Sequence, residues 1–259
     1  MTWTTRPRSD HATLSEITAG QGATILFIHG VGLRAEAWGA QLDALSPHYH
    51  VVAVDMPGHG DSALPAGDLG LSDYTDAIAA GIDGPVMVVG HSMGAMIALD
   101  MAIRHPGKVQ GVVALNAIHR RRPDASEAVK ARAAELDGTS MADPSGTLER
   151  WFGTDTSPER DACHTWLSEV NPAGYKAAYT IFAHQDGPDT DALTTLPCPA
   201  LFMTGADEPN STPSMSQAMA ALAPKGRAMI VGGAAHMMPM THAADVNAAL
   251  LDFAKEIWP

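Results

Sequence analysis

Short apolar runs recur along the chain, separated by longer stretches with the mixed polar and apolar spacing of helices. The runs are rich in β-branched side chains, which is typical of strands buried on both faces. They predict strands at 25–29, 51–55, 86–90, 109–116, 200–205 and 228–232. The stretches between them predict helices at 38–45, 74–82, 93–104, 214–221 and 243–257. This alternation favours an α/β fold in which helices cover a mostly parallel sheet.

The alternation stops between residues 117 and 196, where no apolar run of comparable strength occurs. This stretch carries aromatic residues between helical segments: Trp151, Phe152, Trp166, Tyr175, Tyr179 and Phe182. We interpret it as a helical cap inserted into the fold and lying over the sheet. Residues 1–116 and 197–259 then form the α/β core, and residues 117–196 form the cap.

Composition and charge limit the class of protein. Of the 259 residues, 46% are hydrophobic and 17% are charged, which is typical of a globular chain with a full core. Sixteen basic and 29 acidic side chains give a net charge of −13. Such a charge argues against nucleic acid or an anionic membrane as a partner, because both attract cationic surfaces. The apolar runs are also far shorter than the ~20 residues of a membrane span.

The cysteines and the first residues indicate a compartment. Cys163 and Cys198 have no metal-binding spacing, so two free thiols are expected, with a single disulfide as the alternative. The first ten residues contain no apolar segment of the kind found in secretory signals. We expect a cytoplasmic protein, monomeric or homodimeric, that acts on a small molecule.

The segment Gly90-His91-Ser92-Met93-Gly94 lies between a predicted buried strand and a predicted helix. A G-x-S-x-G in this context places its serine on a tight turn, where small neighbours prevent collisions. The N–H groups at the start of the following helix then point towards the serine oxygen. A glycine-flanked turn without chemistry is the alternative, but the strand and helix around it favour Ser92 as a nucleophile.

Glycines also follow the first predicted buried strand, in His29-Gly30-Val31-Gly32. A glycine-rich loop lets backbone N–H groups approach a substrate closely, as an oxyanion hole requires. The N–H groups of Val31 and Met93 are the candidate donors, and a simple turn is the alternative for this loop. The next strand ends in the turn 55–62, whose Asp55 we interpret as a structural acceptor of backbone hydrogen bonds.

The His29-Gly30 pair, the D-x-P-G-x-G-x-S turn at 55–62, the elbow at Ser92, a late acid and a later histidine occur in this order. In kind and order they resemble the α/β-hydrolase superfamily. The resemblance covers essentially the whole chain, and the insertion at 117–196 matches the position of the family's cap. It implies an α/β-hydrolase fold and a triad in the order nucleophile, acid, histidine.

The resemblance also implies the other members of the triad. His236 lies in a loop of small residues after the last predicted strand, where the family carries its histidine. For the acid two residues stay open: the position three after Gly205 favours Glu208, whereas the commoner use of aspartate favours Asp207. We prefer Glu208, since either carboxylate can orient an imidazole.

Such a triad implies acyl-enzyme chemistry with no metal and no organic cofactor. For the substrate, the basic run Arg120-Arg121-Arg122 at the start of the cap is a candidate site for a carboxylate, with a solvated surface as the alternative. Trp151 and Met237 are further candidates for substrate contacts; Met237 beside His236 could form an apolar wall, but core packing explains a methionine there equally well.

The family resemblance leaves three functions open. We favour hydrolysis of a small carboxylic ester or lactone, with a carboxylate-bearing substrate as an option. The second function is hydrolysis of a C–C bond in a vinylogous diketone acid, or cofactor-free perhydrolysis; a tryptophan after the histidine would favour C–C hydrolysis, and Met237 stands there. The third is a non-catalytic protein that binds a small molecule.

Overall fold

A computed structural model describes residues 3–141 and 143–259. Within these residues one sheet contains β1 (Ser9–His11), β2 (Leu14–Ala19), β3 (Thr24–Ile28), β4 (His50–Val54), β5 (Val86–His91), β6 (Val109–Leu115), β7 (Ala200–Gly205) and β8 (Gly226–Val231). The strand order is β1-β2-β4-β3-β5-β6-β7-β8. Strands β3 to β8 run parallel, whereas β1–β2 and β2–β4 are antiparallel. The predicted mostly parallel α/β fold is confirmed.

The antiparallel edge was not among the predicted strands. β1 and β2 read SDH and LSEITA, and most of their residues are at least partly exposed. In contrast, every residue of β5 and β7 is buried. Strands buried on both faces give continuous apolar runs. An edge hairpin with one solvent-exposed face does not, so its sequence resembles a polar loop.

The helices are α1 (Gly39–Leu45), α2 (Leu71–Ala79), α3 (Met93–Arg104), α4 (Pro123–Glu135), α5 (Ser145–Phe152), α6 (Pro158–Glu169), α7 (Pro172–His184), α8 (Thr190–Thr194), α9 (Pro213–Leu222), α10 (Met238–Thr241) and α11 (Ala243–Ile257). Five of them cover the two faces of the sheet. Residues of α2, α3 and α9 form one buried cluster with the sheet. Residues of α1 and α11 form the second. None of the helices in the described part of the chain combines the length and the apolar character needed to cross a membrane.

The carboxyl ends of the parallel strands meet along one edge of the sheet. Ile28 at the end of β3 pairs with Gly90, and Leu115 at the end of β6 pairs with Met203 in β7. Gly205 in turn pairs with the last residue of β8. Loops that leave these strands therefore lie side by side, which is where open α/β sheets bind their ligands.

Helices α4 to α8 lie between β6 and β7, and the structure describes no strand among residues 117–141 and 143–196. These inserted helices pack on the core through an apolar cluster, called here the seam cluster: Leu33, Ala37, Leu148, Cys163, Trp166, Leu167, Met237 and Met240. In a second contact, the backbone of Gly174 in α7 packs directly on the backbone of Gly58. A Cβ at Gly174 would lie 2.0 Å from the carbonyl oxygen of Gly58. Only glycine permits this approach, which seats the inserted helices over the strand ends.

Candidate active site

Ser92 occupies the sharp turn between β5 and α3. Its backbone angles, φ 57° and ψ −117°, lie in a region that residues with a side chain rarely adopt. The turn is also crowded, since a Cβ at Gly90 would lie 2.0 Å from the oxygen of Gly94, and one at Gly94 would lie 2.1 Å from the oxygen of Ile28. The two glycines are therefore required for the serine to reach the strand ends, as the sequence predicted.

The loop after β3 runs beside the serine. A Cβ at Gly30 would lie 3.2 Å from Cβ of Ser92, so this backbone borders the serine side chain. His29 fixes the loop: its Nε2 accepts the N–H of Met56 at 3.0 Å, and its Nδ1 donates to the oxygen of Gly30 at 2.8 Å. Burial lowers the pKa of His29 well below its ordinary value, which keeps it neutral for both bonds. The peptide that carries the Val31 N–H is thereby held in one orientation.

Val31 and the other candidate donor, Met93, differ in their surroundings. Val31 lines a cavity together with Ser92. Met93 is fully buried and is the first residue of α3, so its N–H is one of those left without a partner inside the helix. This arrangement suits the binding of a negatively charged oxygen next to Ser92.

His236 lies in the loop between β8 and α10, and its Nδ1 is 2.7 Å from Oε2 of Glu208. The Glu208 side chain is fully buried, and Oε1 accepts the N–H groups of Asn210 at 2.8 Å and Ser211 at 3.3 Å. Burial alone raises the pKa of this carboxyl, but His236 and the hydrogen bonds outweigh it and lower the pKa to about 2. Asp207 is exposed, so the structure places Glu208, the preferred of the two candidates, on the imidazole.

Asn116 is a further site residue, and no sequence motif indicates it. It follows β6 with φ 52°, and its backbone N–H donates to the oxygen of Met203 at 2.8 Å. Its Nδ2 donates to Oε2 of Glu208 at 3.2 Å. Its signal in the sequence is a polar residue at the end of a buried strand, but the predicted strand at 109–116 includes it.

Ser92 and His236 line the same cavity, which has a volume of about 950 Å³. Among the described residues there is no hydrogen bond within 3.5 Å between Oγ of Ser92 and the His236 ring. In enzymes without substrate this contact is often long, and it shortens in the complex. The cavity lies between the strand ends and the inserted helices and also extends along α9.

All three predicted arginines border the cavity, but their partners differ. Arg121 donates to Asp186 and to the backbone oxygen of Phe182, each at 2.9 Å, and its side chain is only 5% exposed. Arg122 pairs with Asp124 at the surface. Arg120 donates to the hydroxyl of Thr190 at 2.6 Å. Two of the three predicted cations are therefore already paired with carboxylates.

Two arginines that the sequence analysis did not select also line the cavity, Arg132 in α4 and Arg150 in α5. Both donate to the hydroxyl of Thr147, at 2.8 and 3.0 Å. Neither lies within 4.0 Å of a carboxylate oxygen in residues 3–141 and 143–259. Burial and the neighbouring Arg132 lower the pKa of Arg150. Nothing in the local sequence distinguishes them from surface arginines, because only the packing of α4 against the next helices brings them together.

The two further candidates for substrate contacts separate. Trp151 of α5 lines the cavity. Met237 is 1% exposed and packs in the seam cluster, outside the cavity lining. Its expected role as a wall residue does not agree with this position, because the chain turns into α10 directly after His236 and carries Met237 inward.

No group of three or more His, Cys, Asp or Glu in the described segments is placed to hold a metal ion.

Comparison with known proteins finds hydrolases that are similar to this chain along nearly its whole length. A model of the alpha/beta hydrolase family matches residues 25–249. The (E)-2-((N-methylformamido)methylene)succinate hydrolase of Acinetobacter baylyi is 38% identical over 93% of this chain and 94% of its own. The pimeloyl-[acyl-carrier protein] methyl ester esterase of Stenotrophomonas maltophilia is 32% identical over 93% of this chain and 96% of its own. A solved structure, a thermophilic esterase from Thermogutta terrifontis, superposes with a TM-score of 0.86 at 23% identity, covering 98% of this chain and 100% of that one.

Proposed function

The chain belongs to the alpha/beta hydrolase family, and we propose that it is a serine hydrolase that cleaves a small acyl substrate bearing at least one carboxylate. In this proposal Ser92 is the nucleophile and His236 the general base, with Glu208 orienting the imidazole. The N–H groups of Val31 and Met93 bind the oxyanion. The inserted helices supply the groups that recognise the rest of the substrate.

The reaction proceeds in two halves. Oγ of Ser92 attacks the substrate carbonyl while Nε2 of His236 takes the serine proton, and the oxyanion is bound by the two backbone N–H groups. The leaving oxygen or nitrogen takes that proton from His236 as its bond to the carbonyl carbon breaks. Water then attacks the acyl-serine, giving its proton to His236, and the imidazole returns this proton to Ser92 as the acid product leaves.

One observation carries the carboxylate part of the proposal: Arg132 and Arg150 line the same cavity as Ser92 and donate to the same threonine hydroxyl, with no carboxylate bound to either among the described residues. Arg132 also lies over the ring of Tyr179, 5.7 Å from its centroid. Two adjacent guanidinium groups without a carboxylate repel each other, and an anionic ligand removes this repulsion. A guanidinium also matches a carboxylate with two parallel hydrogen bonds. The cavity is therefore suited to an anion in a chain whose net charge is −13.

Two substrate classes are candidates for this cavity. The 38% identical relative acts, by its name, on a substituted methylenesuccinate, which carries two carboxylates and a formamide carbonyl. We propose this kind of dicarboxylate as the first candidate. The second is a small carboxylic ester or lactone, as the sequence analysis favoured, and the 32% identical methyl ester esterase supports it. A purely binding role would leave the buried Glu208–His236 pair without a purpose.

Parallel hydrolysis assays test the proposal. Formate release is measured for (E)-2-((N-methylformamido)methylene)succinate and for its neutral dicarboxamide. Release of p-nitrophenol from p-nitrophenyl acetate and ring opening of a carboxylate-bearing enol-lactone are measured beside them. We expect kcat/KM for the dicarboxylate to exceed that of the dicarboxamide about 100-fold, the effect of two charge-assisted hydrogen bonds. The Ser92→Ala variant is the control for background hydrolysis. An equal or higher kcat/KM on the neutral compound would overturn the carboxylate requirement, and a faster enol-lactone would favour the second class.

A further inference from the structure

The imidazole of His236 contacts two aromatic rings besides its carboxylate partner. The indole of Trp151 stacks on it, with ring centroids 5.4 Å apart and planes inclined by 23°. The ring of His91 lies 4.9 Å away at an angle of 55°. Glu208 holds the Nδ1 edge of the ring. The orientation of the imidazole is therefore set by three side chains from three separate parts of the chain.

His91 belongs to the rigid core. Its Nε2 lies 2.8 Å from the backbone oxygen of His236. Burial, together with the nearby His236, lowers the pKa of His91 to about 3, so the ring is neutral near pH 7 and donates its Nε2–H to that oxygen. This bond anchors the backbone of the histidine loop to the strand that leads into Ser92.

Trp151 belongs to the inserted helices. It lies near the end of α5, half-buried, and packs against the seam cluster that joins these helices to the core. Core residues such as Leu33 and inserted residues such as Leu148 are both in that cluster. The position of the indole over His236 is thus determined by how the inserted helices pack on the core.

The stacked indole favours the charged form of the imidazole. During proton transfer from Ser92 the imidazole becomes a cation, and the face of an indole attracts cations more strongly than the face of any other natural side chain. A contact that strengthens only when the charge develops lowers the barrier without tightening substrate binding. Such an effect is measured in kcat and not in KM.

We propose that Trp151 is a positioning residue for the reaction: its indole holds the His236 imidazole for proton transfer and stabilises the imidazolium, so that turnover depends on the packing of the inserted helices. The inference rests on the proposed role of His236 as the general base. It gives a residue of the insertion a second function beside lining the cavity.

The two functions of Trp151 are separable by experiment. A residue that only lines the cavity affects the binding of substrates that fill it. A residue that positions the base also affects a small uncharged reagent that reacts with Ser92 and needs no carboxylate site. The rate constant for phosphonylation by a small fluorophosphonate, measured beside kcat and KM for p-nitrophenyl acetate, therefore distinguishes them.

Three variants of the full chain form the test: Trp151→Leu, Trp151→Phe and the matched control Phe152→Leu. Phe152 is the next residue of α5, is also half-buried and packs against the same seam cluster, but makes no ring contact with His236 among the described residues. Thermal unfolding of each variant shows whether it is folded. The wild type and His236→Ala establish that labelling reports on the proposed base.

We expect Trp151→Leu to lower both kcat and the phosphonylation rate constant about 10-fold, with KM within about 2-fold of the wild type. Trp151→Phe should recover most of the loss, because it restores an aromatic face, and Phe152→Leu should react like the wild type. A change in KM alone, or an equal loss in Phe152→Leu, would overturn the inference while leaving the proposed function intact. A folded wild type that is not labelled would overturn both.

Discussion

The two sides of the cavity hold their charged groups differently. At the strand ends, the buried Glu208 carboxylate receives hydrogen bonds from a ring N–H, a side-chain amide and two backbone N–H groups. On the inserted helices, Arg132 and Arg150 share one hydroxyl and have no carboxylate partner in the described residues. A charge that is fully bonded within the protein is fixed for chemistry, whereas one that is not is available to a ligand.

The same contrast appears within the insertion itself. Arg121 borders the cavity, but its guanidinium is bound by Asp186 and by the backbone oxygen of Phe182 and stacks over the Phe182 ring. It joins the start of the insertion to α7 and has few donors left for a substrate. A location at the cavity is therefore not sufficient to indicate binding; the bonds already made by each arginine decide its role.

The largest expected effect concerns the acid on the strand-end side. Glu208→Gln should lower kcat roughly 10³-fold, since an amide cannot stabilise the imidazolium as a carboxylate does. Steady-state kinetics on the best substrate of the panel above measure this loss. Asp207→Asn is the matched control, because it changes the adjacent exposed carboxylate, and it should retain activity within about 2-fold. If Asp207→Asn were the inactive variant, the assignment of the acid would be wrong.

The next effect is on stability. The pKa of Glu208 is about 2 in the fold against an ordinary 4.5, so the unfolded chain binds more protons between these values. Its stabilising contribution is present above about pH 5 and is lost as the pH falls towards 2. The difference in unfolding free energy between wild type and Glu208→Gln should therefore narrow by about 2 kcal/mol from pH 6 to 3. Urea unfolding of both proteins across this pH range measures the difference. If their unfolding free energies changed with pH in parallel, Glu208 would not be bonded as described.

The smallest effect concerns the inserted side. Arg132→Met and Arg150→Met should each raise KM for a carboxylate substrate about 10-fold, the cost of one lost charge-assisted hydrogen bond, and leave the rate on p-nitrophenyl acetate unchanged. Arg122→Met is the control, because this arginine also lines the cavity but is paired with Asp124. If only the control raised KM, the carboxylate site would lie at the basic run and not at the unpaired arginines.

The strand-end side could be predicted from the sequence because its constraints are local. Gly90 is required by its contact with Gly94 across the turn at Ser92, and a buried strand before the turn gives a visible apolar run, although the contact that requires Gly94 is with the distant Ile28. The order of the motifs then led to His236 and to the pair of candidate acids. In contrast, Asn116 donates a hydrogen bond to Glu208, which lies 92 positions further along the chain. No local sequence pattern shows such a contact.

The inserted side could not be predicted in the same way. Arg132 and Arg150 are on different helices, and only the packing of these helices brings both to the hydroxyl of Thr147. The run at 120–122 was the denser local signal, but two of its arginines are satisfied by neighbouring carboxylates. Met237 was placed beside the histidine by sequence distance, although the turn into α10 directs it into the seam cluster.

Covalent labelling tests the central claim most directly. The wild type is treated with a small fluorophosphonate, and the modified residue is identified by peptide mass spectrometry. We predict a single adduct on Ser92, formed at least about 10³-fold more slowly in His236→Ala, because the serine needs the imidazole to remove its proton. A folded wild type without this adduct, or equal labelling in His236→Ala, would contradict the account.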